Sequence, residues 1–415
     1  MVCHGQVPGL NPRYRHAAVS GRSRVNASSG ERGMRHERQV ELLKRVQANI
    51  NNRPTPLGPH SMINPASAYA DPERFQKELR VLFRGRPALV AFSCDVARPG
   101  DWVTASLGGV ELIIVRQPDM SLKAHVNACR HRAAPLLAGR GEGLRYIQCP
   151  YHAWTFTLEG DLKARPGTGS AFDDIPAENC ALHGVEVAEH HGLVFARIAG
   201  DGPMDAASAM QGAEGEIADY GLEGYVHFDT RTAEWNCNWK LILDTFTESY
   251  HIPWLHKETI APLFSYDQMI VDQFGTNPRA IGLRKSVNDE FAKASEADWD
   301  LIPHATIQYF MLPNALVVYQ LDHVEVWRVE PLAVDRTRVH TSLYAPEAPK
   351  DDKGRKYWSR NLDILLQVTG TEDFPTMEGI QRNLSSGMVP NVVYGKLESG
   401  LVGLHESINR LLDEA

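Results

Sequence analysis

The stretch that decides the fold is NACRHRAAPLLAGRGEGLRYIQCPYHAWTF, residues 127–156. It carries Cys129-x-His131 and, after 17 intervening residues, Cys149-x-x-His152. Zinc sites usually pair Cys with Cys and His with His, whereas each short loop here offers one thiolate and one imidazole. Mixed loops suit a two-iron cluster in which two Cys hold one iron and two His the other. Spacing therefore predicts an electron relay, with a structural zinc site as the alternative.

Short β runs with turn residues between them surround this stretch. We predict a small antiparallel β domain from about Phe83 to Ile198 on these runs. The predicted strands lie in residues 88–96, 101–107, 110–117, 122–128, 155–162 and 192–198.

The two loops resemble a known family. CRHRAAPL (129–136) and CPYHAWTF (149–156) stand where Rieske proteins have their two cluster loops. The resemblance supports Cys129, His131, Cys149 and His152 as ligands of a Rieske [2Fe-2S] cluster. Ala133 departs from the family, since many members have Gly there.

A second motif is NCNWKLILDTFTESYHIPWLH, residues 236–256. Glu248 and His251 are i and i+3, so they share one face of a predicted helix over residues 240–250. Pro253 ends or kinks that helix, which lets His256 turn back toward His251. Two His and a distant carboxylate form the facial triad of non-haem Fe(II) oxygenases. Asp244, one helical turn earlier, either tunes this region or is an exposed charge.

This motif looks like the catalytic-iron motif of Rieske non-haem iron oxygenases. The resemblance implies a third iron ligand in TEDFPTMEGIQRNL (371–384), which we assign to Asp373 in a loop, with Glu372 and Glu378 as weaker candidates. Glu248 stands where Asp is common, and a Glu occurs in members resembling carnitine oxygenase. The resemblance implies that Glu248 bridges a cluster histidine of one subunit and an iron histidine of its neighbour in a head-to-tail trimer.

Composition excludes several classes of protein. The chain has 415 residues, a net charge of −8, six Cys and 17 His. Nucleic-acid binding would need a surplus of Lys and Arg, so no nucleic-acid partner is expected. Six Cys are too few for a disulfide framework and indicate a reducing compartment, here the cytoplasm. No apolar run reaches about 18 residues, so no membrane span is predicted.

The predicted fold class is α+β, because helices and strands come in separate runs after the β domain. We expect a flexible basic leader and N-terminal helix (1–50), a Rieske domain with its N-terminal arm (51–205) and a catalytic mononuclear iron domain (214–415). Within the first part, residues 1–33 form the leader and the helix spans His36–Ile50. The resemblance implies a helix-grip (START-like) catalytic domain with an antiparallel sheet.

Together the motifs predict the terminal oxygenase of a multicomponent system. Activating O₂ at one Fe(II) needs extra electrons, which the cluster can supply from NAD(P)H through a separate reductase or ferredoxin. No dinucleotide-binding G-x-G-x-x-G is present in the chain. We expect hydroxylation, dihydroxylation or demethylation of a small organic, aromatic substrate. The alternatives are a quaternary ammonium monooxygenase and a Rieske electron carrier without oxygenase activity. A homotrimer is expected, and a β-subunit remains open.

Overall fold

The structure is a computed structural model that describes residues 33–52, 57–167, 169–200 and 202–414. All but the last residue of the predicted leader, 1–33, lies outside the described residues. The α-helices in chain order are α1 (His36–Asn52), α2 (Ser67–Ala70), α3 (Pro72–Glu78), α4 (Glu214–Asp219), α5 (Trp239–Asp244), α6 (Ile252–Leu255), α7 (Val287–Lys293), α8 (Asp352–Val368), α9 (Phe374–Ser385) and α10 (Ser399–Asp413).

The strands of the N-terminal half and of the first arm are β1 (Met62–Pro65), β2 (Ala88–Phe92), β3 (Trp102–Leu107), β4 (Val110–Arg116), β5 (Leu122–Val126), β6 (Arg140–Gly141), β7 (Ile147–Gln148), β8 (Thr155–Phe156), β9 (Leu162–Ala164), β10 (Gly184–His190) and β11 (Leu193–Arg197). The strands that follow are β12 (Val226–Trp235), β13 (Ile270–Phe274), β14 (Asn277–Leu283), β15 (Ala305–Met311), β16 (Ala315–Gln320), β17 (His323–Ala333), β18 (Arg336–Ala345) and β19 (Asn391–Tyr394).

The first half is built from two antiparallel sheets. Seven strands pair in the order β2-β11-β10-β5-β4-β3-β6, and three more in the order β7-β8-β9. Strand β4 is buried on both faces: Ile113 and Val115 pack under the cluster loops, and Leu112 and Ile114 join the core shared with the second half. The cluster loops are thus supported by a small core of their own.

The second half contains one seven-stranded antiparallel sheet, in the order β12-β18-β17-β16-β15-β14-β13. Its residues alternate between two cores because successive side chains of a strand point to opposite faces. On β17, Val326 packs in the cluster that includes α1, whereas Trp327 packs with Trp239 of α5 and Phe374 of α9. We call the face that carries Trp327 the inner face, since the helices of the second iron motif lie on it.

The arm before the β domain contacts the C-terminal half. Strand β1 pairs with β19, Ile63 opposite Val393. Lys240 of α5 donates a hydrogen bond from Nζ to Oε2 of Glu78, at the end of α3, over 2.6 Å. The arm, grouped with the Rieske domain in the sequence prediction, therefore forms part of the support of the second motif.

The helix predicted over residues 240–250 ends early, at Asp244. The Thr247 hydroxyl donates to the Asp244 carbonyl at 2.7 Å, and Ser249 donates to the Tyr266 carbonyl at 2.7 Å. Hydroxyl side chains that bond the backbone compete with helical hydrogen bonds. The chain after Asp244 therefore turns out of the helix and packs against α10, where Gly400 leaves room for the Thr247 carbonyl.

None of the helices in the described part of the chain is both long and apolar enough to cross a membrane.

Candidate metal centres and active site

The two cluster loops have the same backbone geometry. The amide of each cysteine donates to the carbonyl five residues later, at 2.9 Å for Cys129 and 2.8 Å for Cys149. Each cysteine carbonyl accepts from the amide four residues later, at 2.8 Å and 3.0 Å. That fourth residue, Ala133 or Ala153, has φ of +57° in both loops, a left-handed conformation that favours Gly. This explains why many family members have Gly at the first of these positions.

The loops bring their four metal-competent side chains together. Cys129 and Cys149 are buried, and the rings of His131 and His152 lie 4.7 Å apart. His131 stacks on Trp154 at 4.9 Å. Desolvation and the nearby His152 lower the pKa of His131, which favours the neutral imidazole that metals bind. The buried Nδ1 of His131 has no hydrogen-bond partner, so a ligand position is available there.

The second group is formed by His251, His256 and Asp373. One ligand atom from each lies within 4.8 Å of the others. Asp373 Oδ1 is 3.0 Å from His256 Nε2 and 3.6 Å from His251 Nε2. The oxygen is buried and makes no hydrogen bond. Two imidazoles and a carboxylate that converge on one point fit a mononuclear metal, and no other such group occurs among the described residues.

A one-turn helix, rather than a proline break, brings the two histidines together. His251 precedes α6 and His256 follows it, and Pro253 lies in the first turn of this helix. Proline is tolerated there because the first-turn amides have no partner within the helix. The expectation that Pro253 ends or kinks a longer helix is thus wrong, although its consequence, a close pair of imidazoles, is present.

Asp373 lies in helical structure and not in the loop that we expected. It ends a π-helical turn, Thr369–Asp373, that joins α8 to α9, and its residue is 3% exposed. Its predicted alternatives point elsewhere: Glu372 Oε2 contacts His256 Nδ1 at 2.5 Å, and Glu378 Oε1 accepts from the Asn236 amide at 2.8 Å. Burial lowers the pKa of His256, but the Asp373 and Glu372 carboxylates outweigh it and raise this pKa. Glu372 is thus a partner of His256 that sequence reasoning considered only as a ligand.

Glu248 contacts the side of His251 that faces away from Asp373. Its carboxylate is hydrogen-bonded to His251 Nδ1 and accepts from the His251 amide at 3.1 Å. The side chain is 12% exposed, so it is not a solvated surface charge. The two residues meet through a turn and not along a helix face, because α5 ends at Asp244. Glu398 lies near Glu248. Burial and the negative charge of Glu248 together raise the pKa of the Glu398 carboxyl.

Asp244 is buried and belongs to a hydrogen-bond network beneath the second motif. Tyr69 donates its hydroxyl to Asp244 Oδ2 at 2.6 Å, and His405 Nε2 lies 2.9 Å from Asp244 Oδ1. Tyr394 and Asn64 complete the network. The alternative of an exposed charge is wrong. The partners come from the arm, β19 and α10, far away in sequence, so spacing offered no signal for them.

Two family models match the chain. The catalytic domain of ring hydroxylating alpha subunits matches residues 222–414, and the Rieske [2Fe-2S] domain matches residues 86–191. The chain belongs to the Rieske non-haem iron oxygenases. This confirms the predicted family and the α+β fold class with a Rieske domain and a C-terminal catalytic domain.

Relatives of this Rieske oxygenase extend over most of its length. It is 29% identical to the carnitine monooxygenase oxygenase subunit of Acinetobacter baumannii, over 78% of this chain and 85% of that protein. Identity to the chloroplastic choline monooxygenase of Amaranthus tricolor is 27%, over 78% and 71% of the two chains. Identity to the glycine betaine monooxygenase oxygenase subunit of Chromohalobacter salexigens is 26%, over 79% and 80%.

Solved structures share its fold. A quaternary ammonium Rieske monooxygenase in complex with L-carnitine superposes with a TM-score of 0.72 at 21% identity, covering 84% of this chain and 95% of that one. Naphthalene 1,2-dioxygenase from Rhodococcus sp. gives a TM-score of 0.67 at 17% identity, covering 91% and 98%.

The Rieske oxygenase is thus the terminal component of an oxygenase system. Its cofactors are a Rieske [2Fe-2S] cluster and mononuclear non-haem iron, and members of its family use O₂, a small-molecule substrate and electrons from a reductase or ferredoxin. The residues described above fit both groups, because the buried nitrogen of His131 and the buried oxygen of Asp373 lack partners where a metal would bind.

Proposed function

We propose that this Rieske oxygenase oxidises a quaternary ammonium compound. The supporting observation is that its relatives named carnitine, choline and glycine betaine monooxygenase match most of the chain. The sequence prediction favoured an aromatic substrate and kept a quaternary ammonium compound as the alternative. The alternative agrees better with these relatives, so we adopt it.

We propose Cys129, His131, Cys149 and His152 as the cluster ligands. Two observations support this: both loops lie within the match to the Rieske domain, and the four side chains come together. We propose His251, His256 and Asp373 as the iron ligands, on the single group of three ligand atoms within 4.8 Å among the described residues. When bound, the iron offers open coordination positions to O₂ and substrate, and the cluster supplies single electrons. Together with two protons, two such electrons let one oxygen atom of O₂ enter a C–H bond while the other leaves as water.

The protein side chains around the iron ligands fix their orientation. Glu248 holds His251 through Nδ1, and Glu372 holds His256 through Nδ1, so both Nε2 atoms are directed toward Asp373. A carboxylate bonded to a ligand imidazole fixes its tautomer and increases its basicity. We further propose that Glu248 connects this site to the cluster of a neighbouring subunit in a head-to-tail homotrimer, as the family resemblance implies.

Domain boundaries and location complete the proposal. We assign residues 51–205 to the Rieske domain with its arm and residues 214–415 to the catalytic domain, with the cytoplasm as the compartment. A separate reductase oxidises NAD(P)H, since the chain has no dinucleotide-binding glycine motif.

The test is anaerobic reconstitution of the holoenzyme with a surrogate reductase, followed by ¹⁸O₂ and panels of trimethylammonium and aromatic compounds. We expect labelled product from at least one trimethylammonium compound. Product from aromatic compounds alone would contradict the proposed substrate class. His251→Ala is the control: it should keep the absorbance of the cluster, lose the mononuclear iron and give no product.

A further inference from the structure

The inner face of the catalytic sheet carries two polar side chains among apolar ones, Gln308 on β15 and Glu325 on β17. Four strands place Ala280, Gln308, Val318 and Glu325 in one cross-strand row. Gln308 Oε1 is buried without a hydrogen-bond partner, and Glu325 is 1% exposed. Burying a polar atom without a partner costs free energy, so such atoms mark places where a ligand or water completes the bonding.

This row lies next to the proposed iron site. Trp327 is two residues beyond Glu325 on the same face of β17, and its ring packs on Phe246 at 5.1 Å and on Phe374 at 5.9 Å. Phe374 directly follows Asp373, and Phe246 lies two residues before Glu248. Trp327 therefore connects strand β17, which carries Glu325, to the two segments that carry the proposed iron ligands and Glu248.

Arg284 lies on the same face at the end of β14. Strand alternation puts it with Ala280, and an isolated bridge pairs it with Phe264, whose ring lies 5.0 Å below its guanidinium. Phe264 follows His256 by eight residues, in a segment that folds back on His256 through the Ala261 amide, 3.1 Å from the His256 carbonyl. This arrangement places a cation against the segment that follows His256.

The guanidinium of Arg284 has no anionic partner at bonding distance. Its Nε is buried, and in the described part of the chain no hydrogen bond or ion pair engages the side chain. Burial lowers the pKa of Arg284, and the more distant Glu325 opposes this shift. Glu325 itself is bonded to His323, with Nε2 to Oε1 at 3.2 Å. By contrast, buried Arg279 on the same strand is paired with both Glu216 and Asp272.

Arg284 is partly exposed and makes no salt bridge in the described part of the chain, so its guanidinium is free to pair with a carboxylate, which it matches in shape and charge. We propose that Arg284 binds a carboxylate of the substrate, with Gln308 as a second polar contact on the same face. This inference rests on the proposed function and narrows it: the substrate is a zwitterion with a trimethylammonium group and a carboxylate. Carnitine and glycine betaine have this form, whereas choline ends in a hydroxyl.

The test compares two zwitterionic substrates with choline in the wild-type enzyme and three variants. The holoenzyme with its surrogate reductase is assayed with L-carnitine, glycine betaine and choline, as wild type, Arg284→Met, Arg284→Lys and Lys285→Met. Lys285 is the control, since it is the adjacent, exposed cation. A charged hydrogen bond contributes about 1.5–3 kcal/mol, so kcat/KM for the zwitterions should fall about 10- to 150-fold in Arg284→Met. Choline turnover should change less than about twofold, and Lys285→Met should resemble wild type.

A general structural defect would lower the rates for all substrates equally, so the ratio of zwitterion to choline is the decisive readout. Binding of L-carnitine and choline to the anaerobic holoenzyme, by titration calorimetry, gives the same ratio without turnover. If Arg284→Met does not fold, Arg284→Lys is decisive: it keeps the charge, loses the planar fork and should show a partial loss of the ratio. An unchanged ratio in the folded variants overturns the inference.

The proposed function can fail separately. If the wild-type enzyme oxidises only aromatic compounds, the quaternary ammonium proposal is wrong. The role of Arg284 is then tested by comparing kcat/KM for aromatic acids with kcat/KM for their neutral analogues. Loss of that preference in Arg284→Met would still support carboxylate binding. A wild-type enzyme without any preference for carboxylated compounds in either panel overturns it.

Discussion

His256 Nδ1 lies 2.5 Å from Glu372 Oε2, on the side of the ring opposite Nε2, which faces Asp373. The Thr259 hydroxyl donates to the same Glu372 oxygen at 2.8 Å, which fixes the carboxylate in turn. Two consecutive residues therefore have different roles, because the π-helical turn directs Asp373 to the metal side of the imidazole and Glu372 to its rear.

Glu372→Gln should weaken retention of the mononuclear iron about 10- to 100-fold, because the ligand imidazole loses a charged partner. The measurement is iron content per chain after dialysis against graded chelator, with the absorbance of the cluster as the internal reference. Glu378→Gln is the matched control, since Glu378 bonds Asn236 and not a histidine. Equal retention in both variants would mean that Glu372 does not support His256.

Glu248→Gln should leave the cluster content unchanged and lower product formation per bound mononuclear iron about 10- to 100-fold. The substitution removes the charged hydrogen bond to His251 and the proposed connection between subunits. Reduced enzyme should then be mixed with O₂ and substrate while the absorbance of the cluster is followed in single turnover. We expect slow cluster oxidation in this variant and normal oxidation in Glu258→Gln, an exposed acid in the same segment. Normal oxidation in both would exclude a role in electron transfer.

Lys240→Met should destabilise the protein by about 1–3 kcal/mol. Lys240 and Glu78 are fully buried, and the substitution removes one of the two cations that bond Glu78, the other being Arg74 at 3.0 Å. Burial lowers the pKa of Lys240 to about 8 despite the pairing with Glu78. Chemical denaturation measures the change, and Lys350→Met, which breaks an exposed pair with Glu347, should cost less than about 0.5 kcal/mol. Similar midpoints for the two variants would contradict the prediction.

Stability should fall with rising pH because of His323. Burial lowers the pKa of His323. Hydrogen bonds to Asp322 and Glu325 have a larger, opposite effect, so this pKa is about 9 instead of the ordinary 6.5. The folded state holds this proton more tightly than the unfolded state. The stabilisation is therefore fully present below pH 6.5 and is lost as the pH rises through about 9.

The thermal midpoints of wild type and His323→Gln, taken from pH 6 to 10, measure this contribution. The difference between the two proteins should be largest at low pH and shrink toward pH 10. A constant difference would show that His323 does not gain a proton on folding.

Local sequence patterns were sufficient to find the two metal-binding motifs. Cys129, His131, Cys149 and His152 lie within loops of a few residues, so spacing alone indicates that each pair can face one cluster. His251 and His256 are similarly close in sequence. The predicted path of the chain between the motif's start and these histidines was wrong. The helical pattern predicts one continuous helix, but hydroxyl side chains end α5 early and Pro253 lies in the first turn of a separate helix, α6.

The sequence by itself determined the family, the two metal-binding motifs and the order of the two domains, because short-range spacing and strand periodicity encode them. Only the tertiary structure decided which acid faces His256, that Asp244 is buried, and that Arg284 has no salt-bridge partner among the described residues. The first two facts depend on contacts between residues that are more than a hundred positions apart, His256 with Glu372 and Asp244 with His405. The proximity of these residues results from the packing of helices on the inner face of the sheet, which no local pattern encodes.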